Sequence, residues 1–349
     1  MRIAIIAHSS VHPRQQFFYE SIAELGNYVL VLGPRRWNNL TLIDRKNSRL
    51  KPNHHSSYKQ IGLSCNNEGS LFNFKLLGLL QELQKFVPDI IYCQQEWWSD
   101  QAWDAFCLSI RLKCKFSLFC WENIVYEDID KLSLLRLDRT VNMLKALDLI
   151  VCGNEEAAGI VSFYTDTDKI LILPQVGIDE KLFNQNVSIA DINNRLFDLL
   201  YVGREVPEKG IEVLKRASNA LSLNLKIAKD FTYHELPAVY NSAKIFVSIP
   251  YTTSRWKEQS GSYTNLEAMA CCLPVITTGS GAIREYLKDK AFYIVEGDLT
   301  GLVEHISTLM SDINLRESSG IAGRKLILDR YTNKVIAEKL MEKFHEICR

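Results

Sequence analysis

The stretch DLLYVGREVPEKGIEVLKRA, residues 198–217, predicts a buried β-strand that turns into an α-helix. Its first apolar run is typical of a strand covered on both faces, and the apolar residues after the turn recur with a helical period. Gly203 and Gly210 allow close approach of a ligand, and Arg204 and Lys209 place two cations at the turn. Because a helix start offers free N–H groups and a partial positive charge, this stretch predicts a diphosphate site. The alternative is a surface turn with two solvated cations.

Short apolar runs alternate with longer segments of helical period along the chain, which is typical of an α/β protein with parallel sheets. One strand should begin at residue 199, and others are expected at 3–7, 28–32, 90–93, 116–120, 149–152, 225–228, 245–249, 275–277 and 292–295. Helices are expected at 15–25, 71–86, 99–113 and 133–146. Pro174 and Gly177 interrupt this rhythm, so we place a boundary between two doubly wound domains near residues 174–180.

Composition excludes several classes of protein. The 349 residues contain 41 basic and 41 acidic side chains, so a nucleic-acid binder with an overall basic field is disfavoured. Nine cysteines without a CxxC pair favour reduced thiols in a cytosolic protein. No apolar run approaches the roughly 20 residues that span a bilayer. The first ten residues predict a strand rather than a signal peptide.

Familiar nucleotide and metal motifs are absent or out of context. Neither a GxGxxG fingerprint nor a GxxxxGK[ST] loop occurs, which disfavours a dehydrogenase or a P-loop ATPase. Two DxD patterns, at residues 128–130 and 166–168, do not follow a convincing strand, and we expect both to be surface acids. The pair His54 and His55 is expected in a loop rather than at a metal. We therefore predict no metal site.

A basic segment lies between residues 35 and 59, where seven cations accompany one acid. A solvated loop explains this composition. The alternative is a surface for an anionic acceptor or for an acidic membrane face, which would give peripheral membrane contact.

The second informative stretch, WKEQSGSYTNLEAMACCLPVITTGSGAIREYL, covers residues 256–287. It predicts a glycine-bearing loop, a helix from about Thr264 to Cys271, a buried strand, and a turn at 279–281. Glu267 lies among apolar neighbours on that helix and needs polar partners, which the hydroxyls of a ribose would supply. The alternative is that Glu267 points into solvent.

Four stretches together resemble the group 1 glycosyltransferases (family 4), which are retaining enzymes of the GT-B fold. These stretches are LPQVGIDEKLF, YVGREVPEKGIEVL, ELPAVYNSAKIFVSIP and EQSGSYTNLEAMACCLPVITTGSGAIREYL, in the family's order over most of residues 170–290. In the first half, PDIIYCQQEWWSDQAW and FSLFCWENI look like segments of one branch of that family. The resemblance implies two Rossmann-like domains that face each other across a cleft.

By this resemblance, residues 1–174 would form an acceptor-binding domain, joined by a returning C-terminal helix at 332–349. Residues 175–331 would bind the nucleotide sugar. Arg204 and Lys209 would grip its diphosphate, Glu267 would bind the ribose, and residues 229–231 would lie by the base. The full set of expected donor-binding residues is Gly203, Arg204, Lys209, Asp230, Phe231, Gln259, Gly261, Tyr263, Thr264, Asn265 and Glu267.

The chain departs from the family at its first acidic position. The family has two glutamates separated by seven residues, and counting back from Glu267 reaches Gln259. The match of WKEQSG to the family's W-x-E-Q-F-G instead implies a one-residue insertion and makes Glu258 the sugar-binding acid. We favour Glu258, while an amide at Gln259 would bind hydroxyls without stabilising a positive sugar.

Acceptor-side groups are expected after the strands of the first domain, because open α/β sheets bind ligands at the carboxyl ends of their strands. These groups are His8, Arg14, Glu96 and Trp97. Plain helix-surface and core-packing roles are the alternatives for Arg14 and Trp97. Where many family members have a histidine that touches the donor sugar, this chain has Glu122 and Asn123. The expected catalytic residues are Glu258, Arg204, Lys209, Glu122 and Asn123.

The resemblance implies a retaining, metal-independent transfer of a sugar from a nucleotide-diphosphate donor to an acceptor hydroxyl. No cofactor is expected besides the nucleotide-diphosphate sugar as co-substrate. We further expect a carbohydrate or lipid-linked acceptor, no nucleic-acid partner and a role in polysaccharide biosynthesis. The expected location is the cytoplasm, including the inner face of the membrane. A non-catalytic nucleotide-sugar-binding subunit and a nucleotide-sugar epimerase of the same fold are the alternatives.

Overall fold

A computed structural model describes residues 1–37, 54–55, 57–124, 134–185 and 194–349, without the side chains of 54–55 and 134–136. These residues form two compact units. The first comprises Met1–Gly177 and Asn333–Arg349, and the second comprises Ile178–Thr332. The first segment ends at Gly177, which lies within the range 174–180 where we placed the boundary from the sequence and three residues after the end of the expected domain 1–174.

The first unit is built on an eight-stranded sheet in the order β10-β9-β8-β7-β1-β2-β4-β3. All neighbours in it are parallel except β3 and β4, and β5 and β6 form a separate antiparallel pair. The strands are β1 (Arg2–Ile6), β2 (Tyr28–Pro34), β3 (His54–His55), β4 (Tyr58–Leu63), β5 (Cys65–Asn66), β6 (Lys75–Leu76), β7 (Ile90–Gln94), β8 (Lys115–Cys120), β9 (Leu149–Cys152) and β10 (Ile170–Ile172).

Helices cover this sheet, and the last one returns from the end of the chain. They are α1 (Pro13–Glu24), α2 (Leu79–Phe86), α3 (Asp100–Leu112), α4 (Leu134–Ala146), α5 (Glu155–Val161) and, after the second unit, α12 (Asn333–Ile347). Helix α12 packs on α1, because its buried residues Ile336, Leu340 and Phe344 recur with helical spacing on one face. The ring of Phe344 meets Tyr92 of β7 edge-on at 5.3 Å.

The second unit has a five-stranded parallel sheet in the order β12-β11-β13-β14-β15. Its strands are β11 (Phe197–Val202), β12 (Leu225–Ala228), β13 (Ala243–Ser248), β14 (Val275–Thr278) and β15 (Phe292–Ile294). Its helices are α6 (Ile211–Ala220), α7 (Leu236–Tyr240), α8 (Tyr263–Ala270), α9 (Ile283–Leu287), α10 (Leu299–Ser311) and α11 (Ile313–Arg330). Residues of β11, β13 and β14 are buried on both faces, which explains their continuous apolar runs.

The α/β class and the parallel sheets expected from the sequence are confirmed. One expected helix, 71–86, is wrong over its first half. There, Lys75 and Leu76 pair with Asn66 and Cys65 as short strands. Gly78 follows with φ +88°, and the helix begins only at Leu79. The helical period of 71–78 was therefore overridden by a strand pairing that local sequence does not show.

Some expectations concern residues outside the described ranges. Most of the basic segment 35–59 lies there, as do the DxD acids Asp128 and Asp130 and the side chains of His54 and His55. In the described part of the chain, Asp166 and Asp168 are exposed at a 3-10 turn, and no group of acids, histidines and cysteines could hold a metal ion. None of the helices within the described ranges is both long and apolar enough to traverse a bilayer.

Candidate functional site

The residues expected to bind the donor gather at the carboxyl edge of the second sheet. Gly203 and Arg204 follow β11, Asp230 follows β12, and the turn 279–281 follows β14. The loop that carries Glu258 follows β13. Since ligands of open α/β sheets bind at this edge, the topology brings the sequence-predicted residues to the appropriate end of the sheet.

The turn after β11 is fastened by Tyr201. Its hydroxyl donates a 2.7 Å hydrogen bond to the backbone carbonyl of Arg204. Gly203 has φ +148°, and a Cβ there would lie 2.9 Å from the same hydroxyl, so a larger residue does not fit. The side chain of Arg204 remains exposed. The turn thus fixes the backbone of Arg204 and leaves its guanidinium accessible to a ligand.

Lys209 lies at the end of a 3-10 turn, Pro207–Lys209, directly before α6. Gly210 follows with φ +69°, and a Cβ there would come within 2.2 Å of the carbonyl oxygen of Ile249. This close approach of the two backbones requires glycine. It sets the turn against the end of β13, where the Glu258 loop begins.

Lys209 and Glu258 form an ion pair, although they are 49 residues apart. The ammonium lies 2.5 Å from Oε1 of Glu258, and the two side chains are 19% and 11% exposed. It also lies 4.2 Å from the centre of the Trp256 ring. The pairing of Glu258 with a cation of the predicted diphosphate site supports Glu258, rather than Gln259, as the functional acid. That assignment stays a prediction.

The backbone of Glu258 is held by the turn after β14. The N–H of Ala282 donates to the carbonyl of Glu258 over 2.9 Å. Gly281 has φ +51°, and a Cβ there would lie 2.0 Å from the same carbonyl oxygen. The glycine-rich turn therefore positions the acid, a role that the sequence did not reveal.

Helix α8 begins one residue earlier than expected and ends at Ala270 rather than Cys271. Ser262, at its start, has φ +56°, which a residue other than glycine adopts only at a cost of about 1–3 kcal/mol. Gly261 is also restricted, because a Cβ there would lie 2.6 Å from Cβ of Tyr286. Thr264 and Asn265 lie in the first turn of the helix, both buried. Ser262 and Gly261 thus fix the backbone at the start of α8.

Glu267 is completely buried, so the alternative that it points into solvent is wrong. Its Oε2 accepts a 2.8 Å hydrogen bond from the hydroxyl of Tyr240, at the end of α7. The hydroxyl of Tyr240 thus supplies at least one of the polar partners that a buried acid requires. Sequence reasoning missed Tyr240 because it lies 27 residues away.

The expected base-binding residues follow β12. Asp230 is exposed and has φ +63°. Phe231 is half-buried, with the ammonium of Lys226 5.7 Å from its ring centre. An aromatic face of this kind can stack on a base.

In the first unit, the expected acceptor-side residues also follow parallel strands. His8 follows β1, Glu96 follows β7, and Glu122 and Asn123 follow β8. The ring of His8 lies 5.0 Å from that of Trp37, and its Nδ1 is 2.9 Å from Oε1 of Gln95. Burial lowers the pKa of His8 to about 4, so the imidazole is neutral at pH 7.

Two carboxyl groups flank Trp121. Oε1 of Glu96 accepts a 2.9 Å hydrogen bond from the N–H of Trp121, and burial raises the pKa of Glu96 to about 8. Glu122 is 6% exposed, and burial raises its pKa as well. Asn123 donates from Nδ2 to Oε2 of Glu156 over 3.2 Å. These shifts are typical of functional sites, where uncharged acids serve as hydrogen-bond donors.

Arg14 and Trp97 are placed differently from the other acceptor-side residues. Arg14 is only 7% exposed on α1, so a plain helix-surface role is wrong for it. Trp97 belongs to the hydrophobic core of the first unit, with its ring 6.4 Å from that of Tyr164. This position supports the core-packing alternative for Trp97.

A cavity of about 490 Å³ lies at the opposite end of the first sheet. It is lined by Asp89 and Lys115, which adjoin the starts of β7 and β8, and by His345 of α12. Because open α/β sheets bind substrates at the carboxyl ends of their strands, this cavity is not the expected acceptor site.

Comparison with known proteins agrees with the architecture. Residues 218–326 match the model of the family Glycosyl transferases group 1. The chain is 28% identical over 271 residues to the capsular polysaccharide biosynthesis glycosyltransferase CapM of Staphylococcus aureus. That match covers 67% of this chain and 64% of CapM, less than two thirds of the relative's length.

Two solved structures show the same fold over the whole chain. Anabaena Alr3699/HepE in complex with UDP has a TM-score of 0.70 and 14% identity, covering 99% of this chain and 100% of the other. An E. coli structure described as trehalose-6-phosphate bound with UDP-2-fluoro glucose has a TM-score of 0.68 and 12% identity, covering 100% and 99%. The fold is GT-B, and within it residues 218–326 are similar to the group 1 glycosyl transferases.

Proposed function

We propose that the protein transfers a sugar from a nucleotide-diphosphate donor to an acceptor hydroxyl, with retention and without a metal ion. The observation that carries this proposal is the placement of Arg204, Lys209 and Glu258 at the carboxyl edge of the second sheet. The relatives support it, since CapM is a glycosyltransferase and the two similar structures contain UDP or a UDP sugar.

Departure of the diphosphate needs positive charge, which this edge supplies. The planar fork of Arg204 can bind two phosphate oxygens, and the ammonium of Lys209 adds a point charge. The N-terminus of α8 adds a partial positive charge. Together these groups would perform the neutralisation that a metal ion performs in other transferases.

The sugar itself becomes positively charged as the bond to the diphosphate breaks. Glu258 would bind its hydroxyls and stabilise that charge, and Glu267 would face the ribose. The leaving phosphate takes the acceptor proton on the same face of the sugar, so no protein nucleophile is required. For Glu122 and Asn123 we propose a role in the transfer step.

For the acceptor we propose a carbohydrate or a lipid-linked sugar, in the cytoplasm or at the inner face of the membrane. Support comes from the polysaccharide pathway of CapM and from the basic composition of residues 35–59. The neutral imidazole of His8 and the raised pKa of Glu96 suit an uncharged, hydroxyl-bearing ligand.

A thermal-shift screen with UDP-, GDP- and ADP-sugars tests donor binding, because a ligand of the native state alone raises the melting temperature. Transfer is then measured with the selected sugar, radiolabelled, and a panel of acceptors. Arg204→Ala should abolish the shift and the transfer. Arg216→Ala, which removes an exposed arginine from α6, should change neither.

The outcomes separate the three functions. Transfer to an acceptor supports the proposal, and interconversion of the donor sugar without an acceptor indicates an epimerase. Binding without turnover, unchanged by Glu258→Ala, indicates a non-catalytic subunit. Equal transfer by the wild type and by Lys209→Ala would overturn the site assignment.

A further inference from the structure

Trp256 is the neighbour of Lys209 that the family resemblance did not assign. The ammonium of Lys209 lies 4.2 Å from the centre of its ring, within the range at which a cation is attracted to an aromatic face. The other neighbour of the ammonium is Oε1 of Glu258. Lys209 is therefore held from two directions, by a ring and by a carboxylate.

The loop that carries Trp256 is fixed to the Lys209 turn and to the rest of the edge. The N–H of Tyr251 donates a 2.8 Å hydrogen bond to the carbonyl of Glu208, the residue before Lys209. Thr252 donates from its N–H and its hydroxyl to the carboxylate of Glu296, at 2.8 and 2.7 Å. The N–H of Thr253 donates to the carbonyl of Trp256 at 2.8 Å. The ring is thus tied to the same turn as the cation it faces.

Donor binding affects the two contacts of Lys209, with Glu258 and with Trp256, in different ways. When Glu258 turns to the hydroxyls of a sugar, its charge is shared and the ion pair weakens. The face of the Trp256 ring does not contact the sugar in this scheme, so it still attracts the ammonium of Lys209. A lysine side chain is flexible and loses rotamer entropy when it is held still, so a fixed neighbour is needed to keep its charge in one place.

We propose that Trp256 is a positioning residue that holds the Lys209 ammonium against the diphosphate of the donor. This inference rests on the proposed function. The ring holds the ammonium whenever a diphosphate is bound, and its share is largest when a donor sugar engages Glu258. It accordingly affects recognition of the diphosphate and leaves recognition of the nucleoside unchanged.

The test compares Trp256→Leu, which removes the ring, with Trp256→Phe, which keeps an aromatic face. Calorimetry with UDP, GDP and ADP identifies the nucleotide that binds, and the matching nucleoside monophosphate is measured in parallel. For Trp256→Leu we expect affinity for the diphosphate and kcat/KM to fall about 5- to 30-fold, the range of a cation–π contact. Affinity for the monophosphate should change less than 2-fold, and Trp256→Phe should recover most of the loss.

Two further measurements exclude a merely structural effect. In a Lys209→Ala background, Trp256→Leu should cause no additional loss, because the cation it positions is gone. Trp103→Leu removes another ring beside a cation, since Arg139 lies 5.8 Å from it in the first unit, and should leave diphosphate affinity unchanged. With lysines methylated by ¹³C-formaldehyde, the Lys209 signal of the free protein should lose its ring-current shift in Trp256→Leu.

Failure of this inference can be told from failure of the proposed function. If the wild type binds no nucleoside diphosphate, both are overturned. If the wild type binds one and Trp256→Leu binds it equally well, only the role of Trp256 is overturned. The same holds if diphosphate and monophosphate affinities fall together, or if the Lys209 signal does not move.

Discussion

The hydroxyl of Tyr240 donates a 2.8 Å hydrogen bond to Oε2 of Glu267, and both residues are fully buried. The bond joins the end of α7 to the middle of α8. Because a buried carboxylate that loses a donor keeps its full desolvation cost, Tyr240→Phe should lower the free energy of unfolding by about 1–3 kcal/mol. The measurement is urea denaturation at constant pH.

Tyr293→Phe is the matched control for this change. The hydroxyl of Tyr293 donates to the carbonyl of Lys288 at 2.7 Å, but that contact is exposed, so water can replace it. We expect a change below about 0.5 kcal/mol for this variant. If both variants lose the same free energy of unfolding, the hydrogen bond to Glu267 contributes no more to stability than the exposed one.

Gly281 determines where the backbone of Glu258 lies. In Gly281→Ala, the new Cβ would lie 2.0 Å from the carbonyl oxygen of Glu258 at an unfavourable φ of +51°. The loop must shift, and Glu258 and its ion pair with Lys209 shift with it. We expect transfer to fall more than about 10-fold, since small displacements of a reacting group have large effects on rate.

Gly297→Ala separates the collision from the backbone strain. Gly297 has φ +80°, as unfavourable for alanine as that of Gly281, but the nearest atom to its Cβ is 3.5 Å away on Tyr251. This variant should lose stability while retaining most of its transfer activity. Equal losses of activity in the two variants would contradict the role of Gly281.

The strands were predictable because burial on both faces leaves a continuous apolar run in the sequence. Leu149–Cys152 is buried throughout and has the bounds that the sequence predicts. The edge strand Leu225–Ala228 also has its predicted bounds, although it is only half-buried and contains a lysine. The helix expected at 71–86 failed, because pairing of 65–66 with 75–76 is a contact between segments. Single-sequence patterns report the local period and contain no information on such pairings.

The position of the candidate cations and acids at the carboxyl edge of the sheet was predictable, because Arg204, Lys209 and Glu258 stand in loops that follow predicted strands. Their neighbours were not. Tyr240 and Glu267 are 27 residues apart, and Lys209 and Glu258 are 49 apart. Only the fold brings them together. Which partner a buried acid finds is decided by tertiary packing and leaves no mark in the local sequence.

Gly153 provides the surface on which Trp121 lies. In Gly153→Ala the new Cβ would lie 2.0 Å from Cε3 of the Trp121 ring, which must then move. Because Glu122 and Asn123 follow directly, we expect a fall in transfer of at least about 10-fold with only moderate loss of stability. Gly159→Ala, on α5 with no atom within 4 Å of its Cβ, should keep full activity and gain up to about 1 kcal/mol. Unchanged transfer by Gly153→Ala would remove Glu122 and Asn123 from the site.

Glu96 should make the stability of the protein depend on pH in a definite direction. Burial raises the pKa of its carboxyl from 4.5 to about 8 in the folded protein. Between these values the folded protein holds a proton that the unfolded chain has released. The stabilisation is therefore complete below pH 4.5 and is lost as the pH rises toward 8.

Glu96→Gln removes this titration and keeps a side-chain oxygen to accept the 2.9 Å hydrogen bond from the N–H of Trp121. Between about pH 5 and pH 8, the wild type should lose on the order of 3–4 kcal/mol more stability than the variant, because each pH unit between the two pKa values contributes about 1.4 kcal/mol. Glu24→Gln, which removes an exposed carboxylate from α1, should follow the wild type. The free energy of unfolding is measured by urea denaturation at each pH. If it depends on pH in the same way for the wild type and Glu96→Gln, Glu96 is already ionised in the folded protein. It then cannot donate a proton to a ligand hydroxyl at neutral pH.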